Sequence, residues 1–236
     1  MVADGKIVAW FQGRMEFGPR ALGNRSLLAD PRRPDMRNIL NQMVKHREDF
    51  RPFAPSVLAE RADEWFEVGA HSRSHEFMLF ACGVKAERRD RIPAVLHHDG
   101  SARLQLVRRE SNPRFHELIS CFFARTGVPL VVNTSFNDSE PIVCTPTDAI
   151  VTFRKSGIDA LFMDDVYLTA QTRDLILFHF GKWRPQRLPN ERRMSGFGTF
   201  ATCRLHLISS WPHRIGGQAL SSPIVTTVTL FWRRWH

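Results

Sequence analysis

"KIVAWFQGRMEFGPRALGNRS", residues 6–26, starts as an apolar run and turns into a loop of three arginines, Arg14, Arg20 and Arg25, set among Gly13, Gly18, Pro19 and Gly23. Residues 6–12 are short, apolar and rich in strand formers, and Gly13 stops them, which reads as a β-strand feeding a loop. Glycine lets a backbone come close to a ligand, and the planar guanidinium fork matches phosphate or carboxylate oxygens. Three fixed positive charges in such a loop suit closure around an anion better than display to solvent.

Outward from this stretch, strands alternate with helices. "RSLLAD" reads as a second strand. Residues 34–44 carry Met36, Ile39, Leu40 and Met43 at helical spacing, with Pro34 and Asp35 suited to the start. "RPFAPSVL" runs from a basic loop into a strand, "RADEWFEV" reads as a short helix and "EFMLFACGV" as a buried strand. "IPAVLHHDGSARLQLV" has two extended runs around a turn signal and reads as a hairpin. Residues 112–126 form a helix capped by Asn112 and stopped by Gly127. "VPLVVNTSFN" is a buried strand entering a polar loop. Residues 145–157 form a helix with Thr145 as N-cap and Pro146 in the first turn, and "ALFMDDVYL" closes the ordered part. The class is α/β or α+β.

The 236 residues, 43% hydrophobic, suffice for one large or two small domains. Residues 171–236 hold ten Lys and Arg against Asp174 and Glu191, a net +8 that leaves +1 of the chain's +9 to residues 1–170. This tail also holds four of the six tryptophans and shows little periodicity. Arg interleaved with Trp suits a platform for single-stranded nucleic acid, but no periodic scaffold presents it. Four scattered cysteines without a C-x-x-C pair argue against a zinc knuckle or a disulfide framework and favour a reducing compartment. No signal peptide or membrane-length apolar run is visible, so the expected location is the cytoplasm.

Other clusters carry a functional and a plain reading. Lys45, Arg47 and Arg51 in "VKHREDFRPF" are a second cationic group facing the first, or a solvated basic turn. Asn133, Ser135 and Asn137 in "NTSFN" present polar groups at a strand's carboxyl end, where α/β folds bind ligands, or form a turn. His71 and His75 stand four apart with only Glu76 nearby, a poor metal set, and no metal site is expected. Cys144 precedes a helix, which could lower a thiol pKa, but lacks a histidine partner, which favours a buried structural cysteine.

"GRMEFGPRALGNRSLLADPR", "RPFAPSVL", "NTSFN" and "EPIVCTPTDAI" closely resemble the carboxyl-terminal domain of bacterial O-carbamoyltransferases, which act on nodulation factors and on antibiotics. The resemblance covers roughly residues 5–170, in order. It implies a YrdC/Sua5-like α/β domain: a twisted mixed sheet with flanking helices and a concave basic ligand surface. That domain would occupy residues 1–172, with an irregular, poorly ordered, non-family tail at 173–236. Lys45-His46-Arg47 fits the Lys-x-Arg of YrdC-like proteins, and Asn133-Thr134-Ser135 matches their Ser-x-Asn in reversed order.

The resemblance further implies that the domain binds carbamoyl phosphate and ATP, with Mg2+ accompanying the nucleotide, and forms carbamoyl adenylate. A preceding Kae1-like, metal-holding domain then transfers the carbamoyl group to a sugar hydroxyl. Arg20, Arg25, Lys45 and Arg51 are the expected phosphate contacts, with Arg103 and Arg47 in support. Asn133, Ser135 and Asn137 would orient the carbamoyl or nucleotide groups, and Lys45, Arg47 and Ser135 would serve catalysis. The chain starts a few residues before the first motif, so the Kae1-like domain and its metal are expected to be absent. A truncated gene product follows, working with a separately encoded acceptor domain or retained as a binding remnant. Membrane association is not expected, and nucleic acid would bind only weakly, through the tail.

Overall fold

The computed structural model describes residues 1–169 and, beyond them, four strand segments as backbone; side chains are described for residues 1–69 and 74–169. The chain divides into two units, Met1–Phe180 and Gly181–His236.

The first unit is a mixed α/β layer structure. Its strands are β1 (Val8–Phe11), β2 (Arg25–Ala29), β3 (Ala54–Leu58), β4 (Cys82–Gly83), β5 (Ser101–Ala102), β6 (Gln105–Val107), β7 (Leu130–Ser135), β8 (Ala160–Met163) and β9 (Val166–Thr169). Seven form one sheet in the order β6-β3-β7-β2-β1-β8-β9. The β3–β6 and β1–β8 pairs are parallel, and the other neighbours are antiparallel. Every residue of β2 and β3 is buried, as expected for interior strands covered on both faces.

The helices follow their sequence signals. α1 (Met36–Ile39) continues into a π-helical turn, Leu40–Val44, closed by the Lys45 N–H on the Leu40 carbonyl. In α2 (Pro113–Thr126) the Asn112 side chain accepts from the Phe115 N–H, and Gly127 ends the helix at φ 69°. Phe115, Ile119 and Phe122 recur at helical spacing on its buried face, and the helix packs on β3 and β7. α3 (Pro146–Lys155) starts with a reciprocal cap between Thr145 and Asp148 and packs on β1 and β8. Trp65, Phe66, Phe136 and Phe153 fill the core beside Phe115.

Two expectations fail. "EFMLFACGV" is not a strand: a 3-10 helix covers Gly69–Phe77, Met78 turns the chain at φ 55°, and Leu79 and Phe80 are exposed. Cys82 and Gly83 pair with β5, and Val84 makes a single bridge to Phe66. Residues 92–107 do not form a hairpin. The turn exists, with the His97 N–H on the Ser101 carbonyl, but Pro93 opens a 3-10 turn before it and β6 pairs with β3 instead. A parallel place beside a buried strand outcompetes a local partner, and the apolar pattern alone does not distinguish the two.

In the second unit, β10 (Phe200–Ser209) pairs antiparallel with β13 (Ile224–Arg233), and β11 (Arg214–Ile215) with β12 (Gln218–Ala219). The expected poor order of the tail falls largely on residues outside those described.

Candidate active site

Three arginines from separate segments meet at one cleft of about 110 Å³. Arg20 comes from the β1–β2 loop, Arg47 from the loop after the π-helical turn and Arg103 from the residues between β5 and β6. Asn133, Thr134 and Ser135 at the end of β7 form another part of the wall, and among the described residues no carboxylate lines the cleft. The Arg103 guanidinium is held below its ordinary pKa first by burial and then by the nearby charge of Arg20. Its Nε is buried without a hydrogen-bond partner among the described residues. Arg47 is lowered in the same direction, by burial and then by Arg51. A half-buried cationic cleft without internal counter-charge favours an anion from outside.

The loop carrying Arg20 is built by its own sequence. The Glu16 carboxylate accepts from the Leu22 and Asn24 N–H groups at 2.7 and 2.8 Å. Gly23 holds φ 109°, and a Cβ there would lie 2.3 Å from the Phe115 ring, so the loop lies directly against α2. Asn133 Nδ2 and Gln105 Nε2 then donate to the Ala21 and Leu22 carbonyls.

The second cationic segment is shaped by the π-helical turn. Asn41, buried by that turn, donates to the Asp49 and Arg51 carbonyls and accepts from Arg47 Nε at 2.7 Å. His46 sits at φ 45°, between a Lys45 that turns inward and an Arg47 that reaches the cleft, its guanidinium over the Phe53 ring. The Lys45 ammonium contacts the Ser135 carbonyl at 2.6 Å, Ser135 Oγ at 3.3 Å, the Asn137 carbonyl at 2.8 Å and Asn137 Oδ1 at 2.7 Å. Burial pushes its pKa down to about 7, Arg47 adds to this, and Asp138 and Glu140 act in the opposite direction.

Arg20, Arg47, Arg103, Asn133 and Ser135 therefore share the cleft, while other expected site residues stand elsewhere. Arg25 is buried, donates to the carbonyls of Gln12, Asn24, Gly13 and Cys144, and stacks on Phe11 at 3.5 Å. Its charge thus pins the loop to the sheet. Arg51 is exposed beside Glu48 and outside the cleft lining. Lys45 and Asn137 stand behind Ser135 as its support. Sequence reasoning missed Glu16, Asn41, Ser56 and Gln105; Glu16 and Ser56 lie inside stretches that carry the family resemblance, and a polar residue within an apolar run marks Ser56 and Gln105. His71 has its side chain outside the described ones, and no group of three metal-ligating side chains occurs among the described residues. A second hollow of about 330 Å³, lined by Arg37, Phe50, Pro93, Leu96, His97 and His98, shares Pro52 with the cleft.

The arginine loop, the Lys45 segment and the polar end of β7 on one mixed sheet match a known class. Residues 1–170 fit the family model described as "Carbamoyltransferase C-terminus", and the chain belongs to that family. Among its relatives is nodulation protein NolNO of Sinorhizobium fredii, 48% identical over 72% of this chain and 25% of the relative. Nodulation protein NolO of Bradyrhizobium diazoefficiens is 48% identical over 68% of this chain and 29% of its own length. The 3'-hydroxymethylcephem-O-carbamoyltransferase of Amycolatopsis lactamdurans is 40% identical over 70% of this chain and 31% of its own. The match thus spans between a quarter and a third of the length of these relatives. No helix among the described residues is long and apolar enough to cross a membrane.

Proposed function

We propose that the cleft binds carbamoyl phosphate and ATP and supports formation of carbamoyl adenylate, for O-carbamoylation of a sugar-containing acceptor. The observation that carries this reading is the convergence of Arg20, Arg47 and Arg103 on a cleft without a lining carboxylate. Two phosphorylated substrates bring many negative charges together, and attack on the α-phosphorus requires those charges to be neutralised and the groups aligned. The balance is carbamoyl phosphate, ATP and water giving carbamoyl adenylate, phosphate and pyrophosphate.

In this reading the arginines hold the phosphates, and Ser135 and the unpartnered Asn133 Oδ1 orient the carbamoyl amide. Lys45 fixes Ser135 in place. The hollow beyond Pro52, walled by Phe50, Leu96 and Pro93, suits the nucleoside. Mg2+ would come here as a companion of the nucleotide, held through its phosphates, since the described residues lining the cleft include no carboxylate. Transfer to the acceptor falls to a Kae1-like domain. The cytoplasm, where ATP is abundant, is the matching location.

The test is exchange of labelled pyrophosphate into ATP by the purified chain. Exchange that depends on carbamoyl phosphate is expected, with no carbamoylated sugar formed by the chain alone. Failure to bind either substrate in calorimetry would overturn the reading.

A further inference from the structure

We propose that Ser56 and Gln105, acting with Asn133, are positioning residues that hold Arg20 and Arg103 together in the cleft before any anion arrives. This rests on the reading of the cleft as an anion site.

Ser56, Gln105 and Asn133 lie on three adjacent strands, β3, β6 and β7, with Ser56 and Gln105 directly paired. All three are buried, at 0%, 5% and 1% exposure, where a polar side chain is costly unless its hydrogen bonds are made. The Ser56 hydroxyl donates to Gln105 Oε1 at 2.6 Å. Asn133 Nδ2 donates to Ser56 Oγ at 2.9 Å and Gln105 Oε1 at 3.0 Å. The two hydrogens of Asn133 Nδ2 are shared among three acceptors, and with the Gln105 amide they also reach two consecutive carbonyls of the arginine loop. Asn133 Nδ2 reaches Ala21 at 3.2 Å, and Gln105 Nε2 reaches Leu22 at 2.8 Å.

Arg20 immediately precedes this gripped pair, and Arg103 lies two residues before Gln105. One network therefore anchors both cations. Their like charges repel across the cleft, and the charge of Arg20 adds to burial in holding Arg103 below its ordinary pKa. Arg20 is exposed, so without the anchor repulsion would move its loop outward. Holding like charges in place beforehand removes the ordering cost from the binding step. An apolar trio would pack equally well on these strands but could not grip the loop.

The test uses the full chain with Gln105→Met, which keeps length and removes both amide functions, and Ser56→Ala, which removes the hydroxyl that fixes Gln105. Hydrogen exchange of residues 18–24 without ligand should quicken about tenfold in either variant, while α3 exchanges as before. Inorganic pyrophosphate affinity should fall about tenfold in Gln105→Met, yet change less than about twofold when the same substitution is made in Arg20→Ala. Unchanged exchange in both variants, or an affinity loss as large without Arg20 as with it, would overturn the inference. If the wild type binds no pyrophosphate, the anion reading fails, and the exchange result still decides the anchoring. Should Gln105→Met not fold, Ser56→Ala supplies both readouts.

Discussion

The ammonium of Lys45 lies 2.7 Å from Oδ1 of Asn137, 92 residues further along the chain, and the same oxygen accepts from the Ser135 hydroxyl. A positive side chain thus holds the polar end of β7 in shape from behind, and the arginines are left to face the cleft.

Lys45 gives the fold a pH dependence of definite sign. Its folded pKa is lowered to about 7, below the ordinary value, so across the window above about 7 the unfolded chain holds a proton that the folded chain has released. Stability then rises with pH through this window and is lost as pH falls through about 7. In denaturant titrations the stability of the wild type relative to Lys45→Met should rise by at least about 1.4 kcal/mol between pH 6 and 10. A difference that stays flat, or falls, would show that Lys45 remains charged in the fold.

Arg20 and Arg25 should separate binding from folding. Arg20→Ala should weaken carbamoyl phosphate or ATP binding by about 1.5–3 kcal/mol, roughly 10- to 150-fold, with little change in melting temperature. Arg25→Ala leaves the carbonyls of Gln12, Gly13, Asn24 and Cys144 without that donor. It should cost about 3 kcal/mol of stability and lower Tm by about 6–12 °C. Calorimetric binding and thermal melting of the two variants check the assignment, and the opposite pattern would reverse it.

Gly23 tests the packing of the loop on α2. Any side chain there must adopt φ 109° and displace the Phe115 ring. Gly23→Ala should destabilise by about 2 kcal/mol or more. Adding Phe115→Leu should recover only part of the loss, because the backbone strain remains. Full recovery would mean that contact alone was responsible.

Removal of residues 173–236 should abolish weak, salt-sensitive binding to DNA, since this segment carries a net +8 and the rest is nearly neutral. Filter binding at two salt concentrations measures it. Equal binding by the shortened chain would place the nucleic-acid contact in the arginine cleft.

Local chemistry made much of the fold legible. Asn112, Thr145 and Gly127 punctuate helices through hydrogen bonds within a few residues, and Pro146 through its fixed φ, so α2 and α3 stand where their sequence puts them. The apolar runs of β1, β2, β3 and β7 are continuous enough to read as buried strands. Residues 76–84 and 92–107 are apolar enough for strands too, but their partners are chosen at a distance, and there the local pattern misled.

By itself the sequence determined the family, the helix caps and three polar segments that line the cleft, because each is written in adjacent residues. Tertiary structure decided which cations face the cleft. Arg25 is drawn into the carbonyls of its own loop, Lys45 into the oxygens of Ser135 and Asn137, while Arg103 is brought beside Arg20 by β6 pairing with β3. A guanidinium carries the same charge in either role. What separates a cation free to face the cleft from a structural pin is whether the folded chain already supplies the acceptor oxygens: Arg25 finds three within its own loop and a fourth at Cys144, and Lys45 finds its acceptors on Ser135 and Asn137, far along the chain.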